Sequence, residues 1–152
     1  VTRSGEVAIA IGEILRLLEI KNDGSYMYGF ELGTDISSIK KSIIDKESKA
    51  EVSSFDKNGK SKTSGIIASG DKIKIKTASE EKEYTIIIYG DVNGDGKISS
   101  ADYIMVKNHI MDVTKLGTLE QALADANKDG KVSSADYITI KNHIMDVKKI
   151  VQ

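Results

Sequence analysis

A direct duplication in the C-terminal third of the chain constrains its fold more than any other sequence feature. Residues 91–112 read DVNGDGKISSADYIMVKNHIMD, and residues 125–146, which lie 34 positions later, read DANKDGKVSSADYITIKNHIMD. Of the 22 aligned positions 17 are identical, and the one drastic change sets Gly94 against Lys128. A match of this length does not arise by chance, so the chain contains two copies of one supersecondary unit.

Each copy opens with the pattern D-x-N-x-D-G and has another Asp at its twelfth position. Calcium takes roughly six to eight oxygen ligands, and side chains at positions 1, 3 and 5 of a tight loop converge on one centre. Glycine at position 6 permits the sharp turn, position 7 offers its backbone carbonyl, and positions 9 and 12 complete the shell. The pattern predicts two Ca²⁺ ions. Their predicted ligands are Asp91, Asn93, Asp95, the Lys97 carbonyl, Ser99 and Asp102 in the first loop, and Asp125, Asn127, Asp129, the Lys131 carbonyl, Ser133 and Asp136 in the second.

The three carboxylates of each loop repel one another unless a cation lies between them, so metal binding and folding should be coupled. A lone D-x-N-x-D-G could be a chance turn or a helix N-terminus rich in capping residues. Two full matches in tandem favour metal sites instead. Magnesium fits less well than calcium, because it demands tight octahedral geometry and keeps its waters.

The loops depart from the usual EF-hand in two ways. Asp replaces Glu at position 12, and a β-branched run at residues 83–90, typical of a strand, replaces the entering helix of the first loop. From Gly90 to the C-terminus the tandem resembles a type I dockerin, a family built of two calcium loop-helix units. The resemblance implies a cohesin module of a scaffoldin or surface protein as partner. It also implies a secreted location at the bacterial cell surface, in cellulosome-like complexes that degrade polysaccharides.

The resemblance further implies which positions of each copy contact the cohesin, and all of them are identical between the copies. Two like helices related by a pseudo-twofold axis would offer two equivalent faces, so the partner could dock in two orientations. Recent duplication alone would also explain the identity. The implied partner-binding residues are Ser100, Ala101, Lys107, Asn108, Met111 and Asp112 in the first copy, and Ser134, Ala135, Lys141, Asn142, Met145 and Asp146 in the second.

Helical spacing predicts an exiting helix after each loop, over residues 100–113 and 134–147, and a short helix over 118–124. Each exiting helix carries an apolar stripe that should pack on the other helix. The two histidines occupy equivalent positions on these helices, which favours surface or half-buried sites over a metal or catalytic role. The stripes comprise Tyr103, Val106 and Ile110, with Ile104 and Met111 beside them, and the corresponding Tyr137, Ile140, Ile144, Ile138 and Met145.

Residues 1–89 are predicted to form a β-rich module. The alternation of Tyr26, Tyr28 and Phe30 predicts a strand, and helical spacing predicts a helix over 36–44 capped by Thr34 or Asp35. Further strands are expected over 50–55, 71–77 and 83–89. Residues 56–60 read as a turn. The stretch 5–20 is ambiguous, since its first half alternates and its second half suits a helix. The layout, a module joined to the first loop by a single glycine, resembles the X-module and dockerin pairs of bacterial cell-surface assemblies.

The expected fold class is therefore α+β, with the β-rich X-module-like domain (1–89) packed directly on an all-α dockerin domain (90–152). The absence of cysteine excludes disulfides and thiolate sites, and the formal net charge of −1 gives no reason to expect nucleic acid or a membrane as partner. No catalytic motif is present, and no enzyme activity is expected. The start at Val1 favours a fragment of a longer protein, such as a glycoside hydrolase.

Two other functions stay open at this level. One is an intracellular calcium sensor, against which stand the missing entering helix and Asp at position 12. The other is a calcium-binding terminal region of a secreted glycoside hydrolase or surface protein whose N-terminal module binds carbohydrate. The chain has only eight aromatic residues, six Tyr and two Phe, so a sugar-binding face is a weaker expectation than a plain core role.

Overall fold

The computed structural model describes residues 9–152 and confirms the α+β class. The N-terminal part of the described chain (residues 9–89) contains one sheet and two helices, and the C-terminal part (residues 90–152) is helical. In chain order the elements are α1 (Ile11–Leu17), β1 (Lys21–Asn22), β2 (Tyr26–Tyr28), α2 (Ile36–Lys46), β3 (Glu51–Phe55), β4 (Lys72–Lys76), β5 (Glu81–Ile86), α3 (Ser100–Ile110), α4 (Thr118–Ala124) and α5 (Ser134–Ile144).

The five strands form a single sheet in the order β1-β2-β5-β4-β3. All neighbours are antiparallel except β2 and β5, which run parallel, with Tyr26 opposite Thr85. Side chains alternate across the sheet, so Ile73 and Ile75 of β4 point to the buried face while the lysines that alternate with them point outward. The pairing of β2 with β5 brings the last strand to the centre of the sheet.

Helices α1 and α2 contribute to the core against the buried face of the sheet. The Asp35 side chain accepts a hydrogen bond from the Ser37 backbone N–H and caps α2, as one of the two predicted caps. Isoleucines spaced three and four apart then face inward. This first core comprises Ile11, Ile14, Leu15, Met27, Ile36, Ile39, Ile43, Ala50, Ile67, Ile73, Ile75, Tyr84, Ile86 and Ile88.

Several predicted boundaries in the N-terminal part require correction. The last strand was predicted over 83–89 but spans Glu81–Ile86, and at its end the Ile86 carbonyl accepts the Gly70 N–H while the Ile86 N–H donates to the Asp71 carbonyl. Within the ambiguous stretch 5–20 the structure has α1, and residues 5–8 lie outside the described chain. The turn at 56–60 is confirmed, with the Asp56 side chain accepting two backbone N–H groups.

Helices α3 and α5 pack together in the C-terminal part, as the repeat predicts. Tyr103 and Tyr137 stack with ring centroids 4.5 Å apart, and their hydroxyls lie 2.8 Å from each other. The second core is small, and its fully buried members are Val92, Val106, Ala124, Ala126 and Ile140. Helix α4 has the predicted bounds.

Both exiting helices end earlier than predicted, at Ile110 and Ile144 rather than 113 and 147. The chain reverses because Asp112 and Asp146 adopt left-handed φ values of 64° and 60°, which no continuing helix allows. The prediction that most of each apolar stripe packs on the other helix holds only in part. Val106 and Ile140 are buried, whereas four isoleucines stay exposed because the stripe has one packing partner only: Ile104, Ile110, Ile138 and Ile144.

The two parts of the chain are also joined where the C-terminus returns to the junction. The Gln152 side chain accepts a hydrogen bond from the Tyr89 N–H at 2.8 Å and donates one to the Tyr89 carbonyl at 2.9 Å. Gly90, between the last strand and the first loop, has φ 96°, and a Cβ there would lie 2.9 Å from Ile150 and 3.0 Å from Ile98, closer than van der Waals contact. Among the described residues no helix is long and apolar enough to cross a bilayer.

Candidate calcium loops and docking face

Each repeat brings three carboxylates to one point. One oxygen each from Asp91, Asp95 and Asp102 lies within 4.8 Å of the others, and the second repeat gathers its equivalent carboxylates in the same way. Such spacing is what a single hard cation can bridge, and carboxylate, amide and carbonyl oxygens are the ligands calcium prefers. The residues present therefore fit calcium, and when bound the ion would neutralise charges that otherwise repel.

Backbone amides shape the loop around its first aspartate. Asp91 accepts N–H groups from Asp95 through Oδ1 at 3.0 Å and from Gly96 through Oδ2 at 2.9 Å. Asp125 accepts the equivalent pair from Asp129 and Gly130 at 3.1 and 2.9 Å. The glycine at position 6 has a φ of 85° in the first loop and 90° in the second, values that favour glycine. The predicted role of this glycine in the turn is thereby explained.

The aspartate at position 12 closes each loop from the first turn of the following helix. Asp102 accepts the Asn93 N–H at 3.0 Å and the Ser99 N–H at 2.9 Å. In the second loop, Asp136 accepts the equivalent N–H groups of Asn127 and Ser133. Ser99 and Ser133 form capping boxes with these aspartates. The serine predicted at position 9 as a ligand is therefore also the N-cap of the following helix, a role that the spacing S-x-x-D predicts.

Burial makes ionised carboxylates costly at these sites. Desolvation raises the pKa of Asp91 to about 6, despite the amides that favour its charged form. Burial likewise raises the pKa of Asp102 and of Asp136. In contrast, the Lys131 N–H lowers the pKa of Asp129, which lies at the exposed side of its loop. Buried, mutually repelling carboxylates are what a divalent cation would stabilise.

The residues implied as partner contacts lie on α3 and α5 and in the turns after them, and together they are here called the docking face. Every member is exposed except Asn108 and Asn142, which are half-buried, and twin positions have matching exposure. Met111 and Met145 are 60% and 61% exposed, and Ile104 and Ile138 add 51% and 49% exposed side chains nearby in sequence. The N-terminal part thus leaves both copies of the face open to the same degree.

The repeat extends four residues beyond the duplicated segment, a feature the sequence reasoning missed. His109 accepts the Leu116 N–H at Nδ1, and His143 accepts the Ile150 N–H in the same way, both at 2.9 Å. The histidines thus fold the chain back after each helix. His109 is half-buried as predicted, whereas His143 is only 7% exposed. The signal was present, because Val113 and Lys115 recur 34 positions later.

We expect His143 to make stability depend on pH. Burial, reinforced by Lys149, lowers its pKa below the ordinary 6.5, so the unfolded chain binds a proton more readily than the folded one. The contribution of neutral His143 to the free energy of unfolding should be complete above pH 6.5. It should be lost as the pH falls from 6.5 through the lowered pKa of the folded state. Urea unfolding in saturating calcium between pH 7.5 and about 5 measures this slope.

The matched control is the twin histidine. His143→Asn should flatten the slope, whereas His109→Asn at the less buried position should leave most of it in place. An unchanged slope in His143→Asn would show that other groups cause the acid sensitivity.

One family of known proteins matches the repeat region. Residues 89–145 match the family model described as the dockerin type I domain. No curated protein matches the chain. A chain from the structure of the third cohesin ScaC in complex with the ScaB dockerin of Acetivibrio cellulolyticus aligns with 43% of this chain and 92% of its own length, at 19% identity and a TM-score of 0.41. On the match to the family model, residues 89–145 form a type I dockerin domain.

Proposed function

We propose that the chain is a calcium-dependent docking module that binds a cohesin and anchors its parent protein in a secreted, cellulosome-like or cell-surface bacterial complex. The observation that supports this most directly is the pair of carboxylate clusters at equivalent positions of two dockerin repeats. A dockerin is a non-catalytic docking module, so binding rather than catalysis is the function of this region.

Two Ca²⁺ ions are proposed, one per loop, each held by the ligands that the sequence predicts. The clustered carboxylates and the amide oxygens of Asn93 and Asn127 supply hard donors. The carbonyls of Lys97 and Lys131 would add one ligand each. This assignment explains why the loops retain several acidic groups that burial penalises.

The proposed partner surface is the docking face. It combines exposed methionines with lysine and aspartate side chains, and such a mixed patch suits a protein interface with an apolar centre and a polar rim. Because its two copies are identical in sequence and matched in exposure, we propose that a cohesin can bind in either of two orientations related by about 180°.

The chain is proposed to divide into domains 1–89 and 90–152. Two separate clusters of buried residues, one in each part, support this division. In this view the first domain is X-module-like and braces the dockerin.

The test is calorimetric titration of the whole chain with a panel of bacterial cohesins, first with calcium and then with EDTA. We expect at least one cohesin to bind with a micromolar or tighter Kd, and the binding to vanish in EDTA. Calcium uptake without any cohesin binding across the panel would contradict the partner assignment while leaving the metal sites in place.

A further inference from the structure

The two loops, nearly identical in sequence, lie in different surroundings. The N-terminal part covers the first loop more closely than the second, which it meets where Lys128 lies 4.9 Å from the centre of the Tyr89 ring. Asp91 and Gly96 are buried, whereas their twins Asp125 and Gly130 are half-buried and exposed, respectively. The loops therefore differ in environment rather than in ligands.

A short segment between β3 and β4, residues 66–70, makes the contact. The Ser69 backbone N–H donates to Asp91 Oδ2 at 2.9 Å, the same oxygen that accepts the Gly96 N–H. The Ser69 hydroxyl bonds with the Ile88 backbone, which fixes the segment beside the junction. Lys57, from the turn after β3, donates to the Asn93 carbonyl at 2.7 Å.

The one drastic difference between the repeats follows from this contact. A Cβ at Gly94 would lie 2.8 Å from the Ser69 carbonyl, closer than real Cβ atoms come to a backbone oxygen. The backbone itself does not require glycine there, since Lys128 has φ 60° at the equivalent position and Gly94 has φ 73°. Lys128 is exposed and its ammonium reaches the Val151 carbonyl instead. Gly94 is therefore explained by the neighbouring segment of the N-terminal part.

We propose that the N-terminal part contributes to the first calcium site, because the Ser69 amide holds Asp91 in position. The first loop then binds calcium more tightly and releases it more slowly than the second loop does. The inference rests on the proposed calcium function. An extra amide fixes Asp91 before the ion arrives, and burial strengthens its attraction for a cation. By linkage, calcium in the first loop in turn holds the N-terminal part against the dockerin.

The test assigns affinities to single loops in the full chain. Asp129→Ala disables the second loop and Asp95→Ala disables the first, and both residues are exposed, so neither change disturbs a core. Calcium titration and chelator-driven release should show the first loop binding about tenfold more tightly, as expected for one added hydrogen bond to a charged group. Equal affinities of the two loops would overturn the proposal.

A matched pair of variants then isolates the contact. Gly94→Asn introduces a neutral residue that tolerates positive φ but collides with Ser69. Lys128→Asn places the same residue at the exposed twin position, where it removes only the contacts of the Lys128 ammonium with Val151, Gln152 and the Tyr89 ring. We expect Gly94→Asn to bring the first loop close to the affinity of the second, and Lys128→Asn to leave the second loop nearly unchanged. Equal effects of the two variants would overturn the role of the N-terminal part.

A spectroscopic measurement covers the case in which Gly94→Asn does not fold. In the otherwise unaltered fold, the NMR signal of the Ser69 amide should shift when calcium fills the first loop in Asp129→Ala. It should stay in place when calcium fills the second loop in Asp95→Ala. No response of Ser69 in either variant would contradict the inference, whereas absence of calcium binding by both loops would overturn the proposed function itself.

Discussion

Removing calcium should unfold α3, α4 and α5 while the N-terminal sheet stays folded. The C-terminal core cluster has five buried members, and only Val92, Val106 and Ile140 among them are larger than alanine. A core of this size does not offset the entropy of ordering the chain, so small domains of this kind depend on metals or disulfides. The sequence has no cysteine, which leaves the metal. The N-terminal core has fourteen buried members among the described residues, so we expect no such dependence there.

Circular dichroism and NMR of the whole chain, with calcium and after chelation, measure this outcome. Chelation should remove most of the helical signal of the C-terminal part. It should also lower cohesin affinity more than about a hundredfold, because less than about one per cent of the molecules would remain folded and able to bind. Magnesium replacing calcium serves as the control and should not restore the helices. Helices that persist in EDTA with unchanged cohesin affinity would contradict the coupling of metal to folding.

The local chemistry of the loops could be predicted from sequence because it depends on spacing within twelve residues. The aspartates at positions 1, 5 and 12 are gathered by backbone turns that the glycine at position 6 permits, and no distant residue is needed. The predicted clusters Asp91–Asp95–Asp102 and Asp125–Asp129–Asp136 both form. The same holds for the cap of α2 at Asp35 and for the bounds of α4, which are local features too.

What the sequence did not predict depends on contacts between distant segments. The parallel pairing of β2 with β5 joins strands that lie far apart in the chain. The reason for Gly94 lies in Ser69, on another element. The exposed Ile110 and Ile144 were predicted as core, since helical spacing identifies an apolar stripe but not how many neighbours will cover it. In each case the missing information was tertiary packing rather than local preference.

The exposed isoleucines and methionines also bear on the docking face. An apolar side chain left in water is stabilised when a partner covers it, and both repeats present the same set. If either copy of the face can bind, the two binding modes add, and losing one removes only half of the binding constant. The dual-orientation proposal therefore predicts different outcomes for single and double disruption.

Disrupting one copy of the docking face should weaken cohesin binding only about twofold, whereas disrupting both should abolish it. The single variants are Lys107→Glu with Met111→Glu, and Lys141→Glu with Met145→Glu. Each reverses one charge and places a carboxylate on an exposed apolar position. Each single variant loses one of two equivalent binding modes, so its binding constant should halve. The combined variant should lose more than about a hundredfold in affinity, as expected when central contacts are removed. Calorimetry with one cohesin measures all three.

The control is Lys46→Glu, which reverses an exposed charge at the end of α2 in the N-terminal part and should leave binding unchanged. Unchanged calcium uptake in each variant would show that the loops remain intact. If one single variant alone abolished binding, the partner would be using that helix only, and the identity of the repeats would reflect duplication without a second orientation. If the combined variant still bound the cohesin well, the cohesin would bind a surface of the dockerin other than the docking face.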